Sequence, residues 1–369
     1  MRFMILRPLN TARVEASLMP TSQLDSLYRN VAKKVLSETL RMKKGECLTV
    51  EAWNNGLPFA RQAVAEARAM GCTAITILED EQTYVEGVKR APKDSLGLMG
   101  KNEYSLLAGS DAYIFVPGQA LGVWSKTLTA AELGDSTKYN ASWYEAAKKA
   151  GLRGARMVFG YVGKDVARML GKSVDEIVKG QLRASLVDRG AISRHAGRVA
   201  SLLGDAAEVT LESSGATLRF SVRGEMEVED GLVDEQDVAD GSNMTYMPPG
   251  LVTKEVDQMS VDGTLRVSET LTKFGILPGA ELEFKEGKLV RWKSKDQKRL
   301  ESLVMPIAEE KRHLTLMGVG LNPVLRYGFG QDRFARGTVT LAGLGFNAVI
   351  KKSGLSVSGN PLLTKGNFS

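Results

Sequence analysis

Only two histidines, His195 and His313, and two cysteines, Cys47 and Cys72, occur in the chain. That scarcity removes most Ser/His/Asp triads, histidine-rich metal sites and imidazole relays, and it leaves too few thiols for a cysteine zinc site or a disulfide framework. Carboxylates and cations are then the groups to weigh. Glu79-Asp80-Glu81, at the end of an expected strand, could offer paired carboxylates to a cation or an amine, but such a run is also an ordinary helix N-cap. Gly97-Leu98-Met99-Gly100-Lys101 has the glycines and lysine of a phosphate loop at the wrong spacing, and Asn102 stands where a Ser or Thr would hold magnesium; a turn is expected. Lys285, Lys288, Arg291, Lys293, Lys295, Lys298 and Arg299 surround Trp292 and could contact phosphates while a base stacks on the ring. Interleaved acidic residues favour a solvated hairpin, so nucleic acid is not expected as a partner. His195 sits beside Arg194 and Arg198 on a helical pattern and reads as exposed or structural. His313 follows Lys311-Arg312 and opens the glycine-rich tail, the better position for a ligand.

These residues need a scaffold, and 369 residues is enough for two domains at about 100–200 residues each. Apolar residues at 43% and charged residues at 25% are ordinary for a globular chain, and the net charge of +6 is modest. No apolar run approaches the roughly 20 residues that span a bilayer, and residues 1–20 read as a loose leader without a signal peptide. With so few cysteines, a reducing cytoplasmic location is expected. Leu24, Leu27, Val31, Val35 and Leu40 follow helical spacing up to Lys43-Lys44-Gly45. A strand over 47–53, a helix over 58–70 and a strand over 73–78 make a βαβ unit, and its crossover, Asn54-Asn55-Gly56-Leu57-Pro58, lacks the dinucleotide-binding glycines. Strands over 112–116 and 155–160 complete a mainly parallel α/β domain, placed at residues 21–190, and helices over 141–149, 174–187 and 192–203 lead out of its sheet, the last two carrying the chain to a second domain. Short alternating strands between glycine turns, with one helix over 296–310, then predict a β-rich α+β domain over 191–369.

Several motifs follow one another in a telling order: Leu40-Arg41-Met42-Lys43-Lys44-Gly45-Glu46, Asn243-Met244 with Pro248-Pro249-Gly250, Val261-Asp262-Gly263-Thr264, Leu316-Met317-Gly318-Val319-Gly320-Leu321-Asn322-Pro323 and Gly337-Thr338-Val339. In these the chain resembles the thermophilic aminopeptidase T family of dinuclear metallopeptidases, including its looser archaeal leucyl aminopeptidase-like branch. The resemblance implies an α/β domain joined to a β-rich domain, a homodimer, and a metal site in the second domain facing an enclosed cavity.

The family's metal ligands, however, are missing. Leu251 follows Gly250 where the family has a glutamate, Leu316 stands at the second glutamate, Thr340 stands at the histidine ending the Gly-Thr-Val-His segment, and no counterpart of a His-x-Asp pair occurs between Gly345 and Ser369. Two neighbouring divalent cations need carboxylates and imidazoles, and leucine supplies neither. Leucine in place of a buried glutamate makes sense once no metal neutralises the carboxylate. The expectation is therefore a site packed shut, no metal cofactor, and a protein that binds a peptide or small molecule without hydrolysing it. Asn322 and Thr340 are the expected cavity-wall residues. The alternative is an active aminopeptidase holding zinc, cobalt or manganese through displaced ligands, for which Glu255, His313 and Asp332 are the candidates. The same shape also resembles the ring-opening dihydroxypyridine dioxygenases, whose iron is held by two histidines and an aspartate, and the scarcity of histidine argues against that chemistry.

Overall fold

The computed structural model describes residues 23–369 apart from 93, 94, 205, 206, 273 and 274; the expected leader over 1–20 lies outside the described residues. Helix α1, Gln23–Lys34, carries Asp25 in its first turn and Lys33 and Lys34 in its last, which suits the helix dipole, and it buries Tyr28, Val31 and Ala32. Strand β1 (Cys47–Trp53), helix α2 (Leu57–Ala69, with a proline in its first turn) and strand β2 (Thr73–Glu79) form the expected parallel βαβ unit. Helix α3, Glu81–Arg90, follows at once. The Asp80 side chain accepts from the Thr83 N–H, so Glu79-Asp80-Glu81 is a helix start. Gly97–Lys101 likewise leads into helix α4, Lys101–Ala108.

Strand β3 (Ala112–Val116), helices α5 (Val123–Thr127) and α6 (Ala130–Lys149), and strand β4 (Arg153–Met157) come next. The strand expected over 155–160 ends early, because Val158–Tyr161 tightens into a 3-10 turn. Helices α7 (Lys164–Met169), α8 (Val174–Ser185) and α9 (Arg189–Leu203) lead to the antiparallel half. The elements that follow α9 are strands β5 (Ala207–Ser213) and β6 (Ala216–Glu229), helix α10 (Glu235–Asp240), strands β7 (Met244–Met247), β8 (Leu251–Val256), β9 (Asp262–Thr272), β10 (Gly275–Lys285) and β11 (Lys288–Ser294), helix α11 (Gln297–Val304), and strands β12 (Leu316–Gly320), β13 (Val339–Ala342), β14 (Asn347–Ile350), β15 (Gly354–Val357), β16 (Asn360–Thr364) and β17 (Asn367–Phe368). Helix α11 is shorter than the expected 296–310 because Pro306 can neither donate to the ladder nor clear the preceding turn.

The first sheet is parallel throughout, in the order β2-β1-β3-β4-β7. Its fifth strand, β7, lies inside the stretch expected to form the β-rich, mostly antiparallel domain, so the chain returns to the first sheet after β5 and β6 have entered the second. The second sheet is antiparallel and runs β14-β13-β12-β8-β6-β5-β15-β16-β17, with β9 joining at β6 and continuing through β10 to β11. One apolar core lies around the parallel sheet and a larger one fills the antiparallel half. The architecture is thus an α/β half with a parallel sheet and a β-rich antiparallel half, as expected.

Candidate functional site

Residues directly opposite one another on paired strands share a face, as do positions two apart along a strand. Leu251 pairs with Gly320, Gly318 with both Thr253 and Thr340, and Leu316 with both Glu255 and Ala342. The three positions Leu251, Leu316 and Thr340 therefore lie on one face of the sheet, together with Glu227 and Glu229 on β6 and Asn347 and Val349 on β14. The reverse face, with Val252, Val256, Met317, Val319, Val339, Leu341 and Ile350, is buried in the core. Lys254 is also buried on that side, where its Nζ reaches the Leu203 and Gly204 carbonyls at the end of α9.

The motif glycines are required by close approach. A Cβ on Gly320 would lie 2.1 Å from the Ala335 carbonyl oxygen, and one on Gly250, whose φ is +116°, would lie 2.8 Å from the Asn322 nitrogen. Asn322 is fully buried. Its Nδ2 donates to the Pro249 and Ala184 carbonyls at 2.7 and 3.1 Å, and its Oδ1 accepts from the Val324 and Leu325 N–H groups, each at 3.0 Å. It ties together the Pro249-Gly250 turn, α8 and the loop after β12, with its polar atoms all used in doing so.

Leu251 is buried in a small apolar cluster with Ala184, Leu325, Phe334 and Ala335. Leu316 is half-buried between Glu255 and Ala342. Thr340 is buried, and its Oγ1 has no hydrogen-bond partner. One neutral hydroxyl and two leucines do not fit a pair of divalent cations, which require anionic oxygens or imidazole nitrogens.

The alternative ligands do not converge. Glu255 is exposed, 3.7 Å from Arg223. His313 directs Nδ1 at the Gly287 carbonyl, 2.8 Å, and Nε2 at the Glu310 carbonyl, 2.6 Å, so neither ring nitrogen is left for a metal. Asp332 accepts from the Gly328 and Phe329 N–H groups at 2.7 and 3.1 Å, shaping its own loop. Among the described residues no group of three or more His, Cys, Asp or Glu side chains could hold a metal ion. His195 stacks on Phe368 at 4.8 Å, and burial, Arg336 and its neighbouring arginines push its pKa down. Around Trp292 the cations are partly paired, Arg291 with Glu283 at 2.7 Å and Lys293 with Glu281 at 3.0 Å, in keeping with a solvated hairpin.

A cavity of about 320 Å³ opens beside this face, between the carboxyl ends of β4 and β7 and the β9, β14 and 330–333 segments. Arg156, Tyr161, Tyr246, Asp332, Arg333 and Asn347 are among its walls. Arg156 and Tyr246 are cross-strand neighbours, and each of the two arginines holds its guanidinium carbon 5.7 Å from the centre of the Tyr246 ring. Behind Tyr246, Glu229 is half-buried: it accepts from the Thr245 hydroxyl and the Tyr246 N–H at 3.0 and 3.2 Å, and burial raises its pKa against the pull of that N–H. Burial likewise raises the carboxyl of Asp332, against the two backbone donors. A larger groove of about 420 Å³ lies on the β9–β11 strands, but its Glu281 already pairs with Arg266 and Lys293. Sequence reasoning missed Arg156, Glu229, Tyr246 and Arg333. Only Arg156, inside an expected parallel strand, left a trace, because ligands in parallel sheets gather at strand carboxyl ends.

Solved structures with the same fold exist. AmpT from Thermus thermophilus superposes with a TM-score of 0.65 at 15% identity, over 94% of this chain and 99% of that one. The 2,5-dihydroxypyridine dioxygenase from Pseudomonas putida KT2440 superposes with a TM-score of 0.59 at 13% identity, over 95% and 98%. At these identities the likeness is one of fold. No family profile matches the sequence, and no curated protein matches it.

Proposed function

We propose that this chain is an aminopeptidase T-like protein with a degenerate metal centre that binds a peptide or small molecule without hydrolysing it. The observation that carries this reading is the sheet face itself, where Leu251, Leu316 and Thr340 stand at the three mapped ligand positions and Leu251 is sealed into an apolar cluster. Physically, two leucines and one neutral hydroxyl cannot bind two divalent cations tightly or lower the pKa of a bound water, which is what metal-assisted hydrolysis needs. The neighbouring cavity keeps the space and polar groups for a ligand. A cytoplasmic homodimer belongs to the same reading, and a light-scattering mass of one chain in solution would remove the dimer from it. Among the described residues no helix is long and apolar enough to cross a membrane.

The experiment is hydrolysis of short peptides by protein loaded with zinc, cobalt or manganese. No released amino acid is expected, and metal-dependent release at a competent rate would overturn the reading.

A further inference from the structure

We propose that the cavity beside Tyr246 is a binding site for a small organic monocarboxylate with an apolar body, clamped by Arg156 and Arg333. This rests on the reading of the cavity as a ligand site that does not hydrolyse what it binds. Arg156 is a mostly buried cation with poor company: its Nη atoms reach only the Tyr161 and Tyr144 hydroxyls, at 3.3 and 3.5 Å, and its Nε is buried with no partner. The Arg333 guanidinium rests on the Tyr246 and Phe334 rings, 5.7 and 4.8 Å from their centres. Among the described residues neither arginine makes an ion pair. A guanidinium cannot escape burial by losing its proton, and its planar fork of donors matches a carboxylate edge. An anion in the cavity would satisfy donors that the fold leaves idle.

The charge count and the walls narrow the class. Arg156 and Arg333 face the carboxyl of Asp332, one oxygen of which is already held by Gly328 and Phe329, and Arg333 also lies within the field of Glu229, so the walls balance a monoanion better than a dianion such as phosphate. Tyr246, Tyr161, Leu271 and Val349 supply flat and aliphatic surface for an apolar body. The volume of about 320 Å³ suits a molecule of the size of a small aromatic acid or a dipeptide.

The test is calorimetric titration of the full chain with 3-phenylpropionate, its neutral amide, alanylphenylalanine and inorganic phosphate. The two carboxylates should bind, the amide at least about tenfold more weakly, and phosphate more weakly than the acids. If only one carboxylate binds, the source is identified as a free acid or a peptide C-terminus, and the clamp stands. Arg333→Gln should lower carboxylate affinity at least about tenfold, and Arg333→Lys should recover part of it. Arg266→Gln, in the other groove, should change nothing, and circular dichroism checks that each variant is folded. Equal binding of acid and amide would overturn the carboxylate and leave a small-molecule site. No binding of any probe at about 10 mM would overturn the proposal. Metal-dependent cleavage of alanylphenylalanine would instead overturn the non-hydrolytic reading and leave the clamp standing.

Discussion

The sheet face around Gly318 and the cavity at Tyr246 are neighbours, yet they treat polar groups in opposite ways. On the face, the motif positions Leu251, Leu316 and Thr340 are two leucines and one threonine, and the buried amide nearby, Asn322, has every hydrogen bond made. In the cavity, Arg156 keeps a buried Nε without a partner, and among the described residues neither it nor the half-buried Arg333 makes an ion pair. A fully satisfied buried amide is scaffold, whereas unpaired buried cations are costly for stability and are retained where a ligand completes them. The contrast assigns structure to the first region and recognition to the second.

The most damaging way to probe the face is to restore one carboxylate. Leu251→Glu should destabilise the protein by roughly 3 kcal/mol at neutral pH, because the charge would sit among Ala184, Leu325 and Phe334. Urea unfolding with and without zinc measures this, and full rescue by zinc would show that the remaining ligands were present all along. Asn322→Ala comes next, at about 2–3 kcal/mol, since it strands two carbonyls and two N–H groups in a fully buried turn. A loss below about 0.5 kcal/mol in the same assay would deny Asn322 its scaffold role.

A third substitution sharpens the cavity side. Glu51 lies across β3 from Arg156 in the same row of the parallel sheet, with Phe115 between them, and is hydrogen-bonded by Tyr113. Burial raises its pKa to about 7, against the hydrogen bond from Tyr113. Because the folded value exceeds the unfolded one, the stability it contributes is present below about pH 4.5 and is lost as pH rises through about 7. Glu51→Gln should remove roughly 2–3 kcal/mol of pH dependence between pH 5 and 8, seen as a flatter profile of unfolding midpoints. An unchanged profile would mean that Glu51 is ionised at no cost. The smallest effect belongs to Thr340→Val, expected to be neutral or to stabilise by up to about 1 kcal/mol, since the Thr340 hydroxyl is buried without a partner. A clear loss of stability would show that this hydroxyl does have one.

The first helix and the βαβ unit were legible because their apolar spacing and stops are strong and local. Strand β7 was not, because four residues between Gly241 and Pro248 carry no period, and only pairing with β4 reveals them as part of the parallel sheet. The motif positions Leu251, Leu316 and Thr340 could be found from order alone, but their shared face follows from strand register. Arg156, Tyr246 and Arg333 come from three distant segments, so their meeting is a property of topology that no local pattern encodes. Asn322 was legible as a motif residue, and its geometry shows a turn-binding amide whose polar atoms all bond backbone.

Elemental analysis bears most directly on whether the chain holds a metal, on protein purified without chelator and again after incubation with excess zinc, cobalt and manganese. The degenerate-centre account predicts no metal above background in either sample. One or two tightly held ions per chain would contradict it.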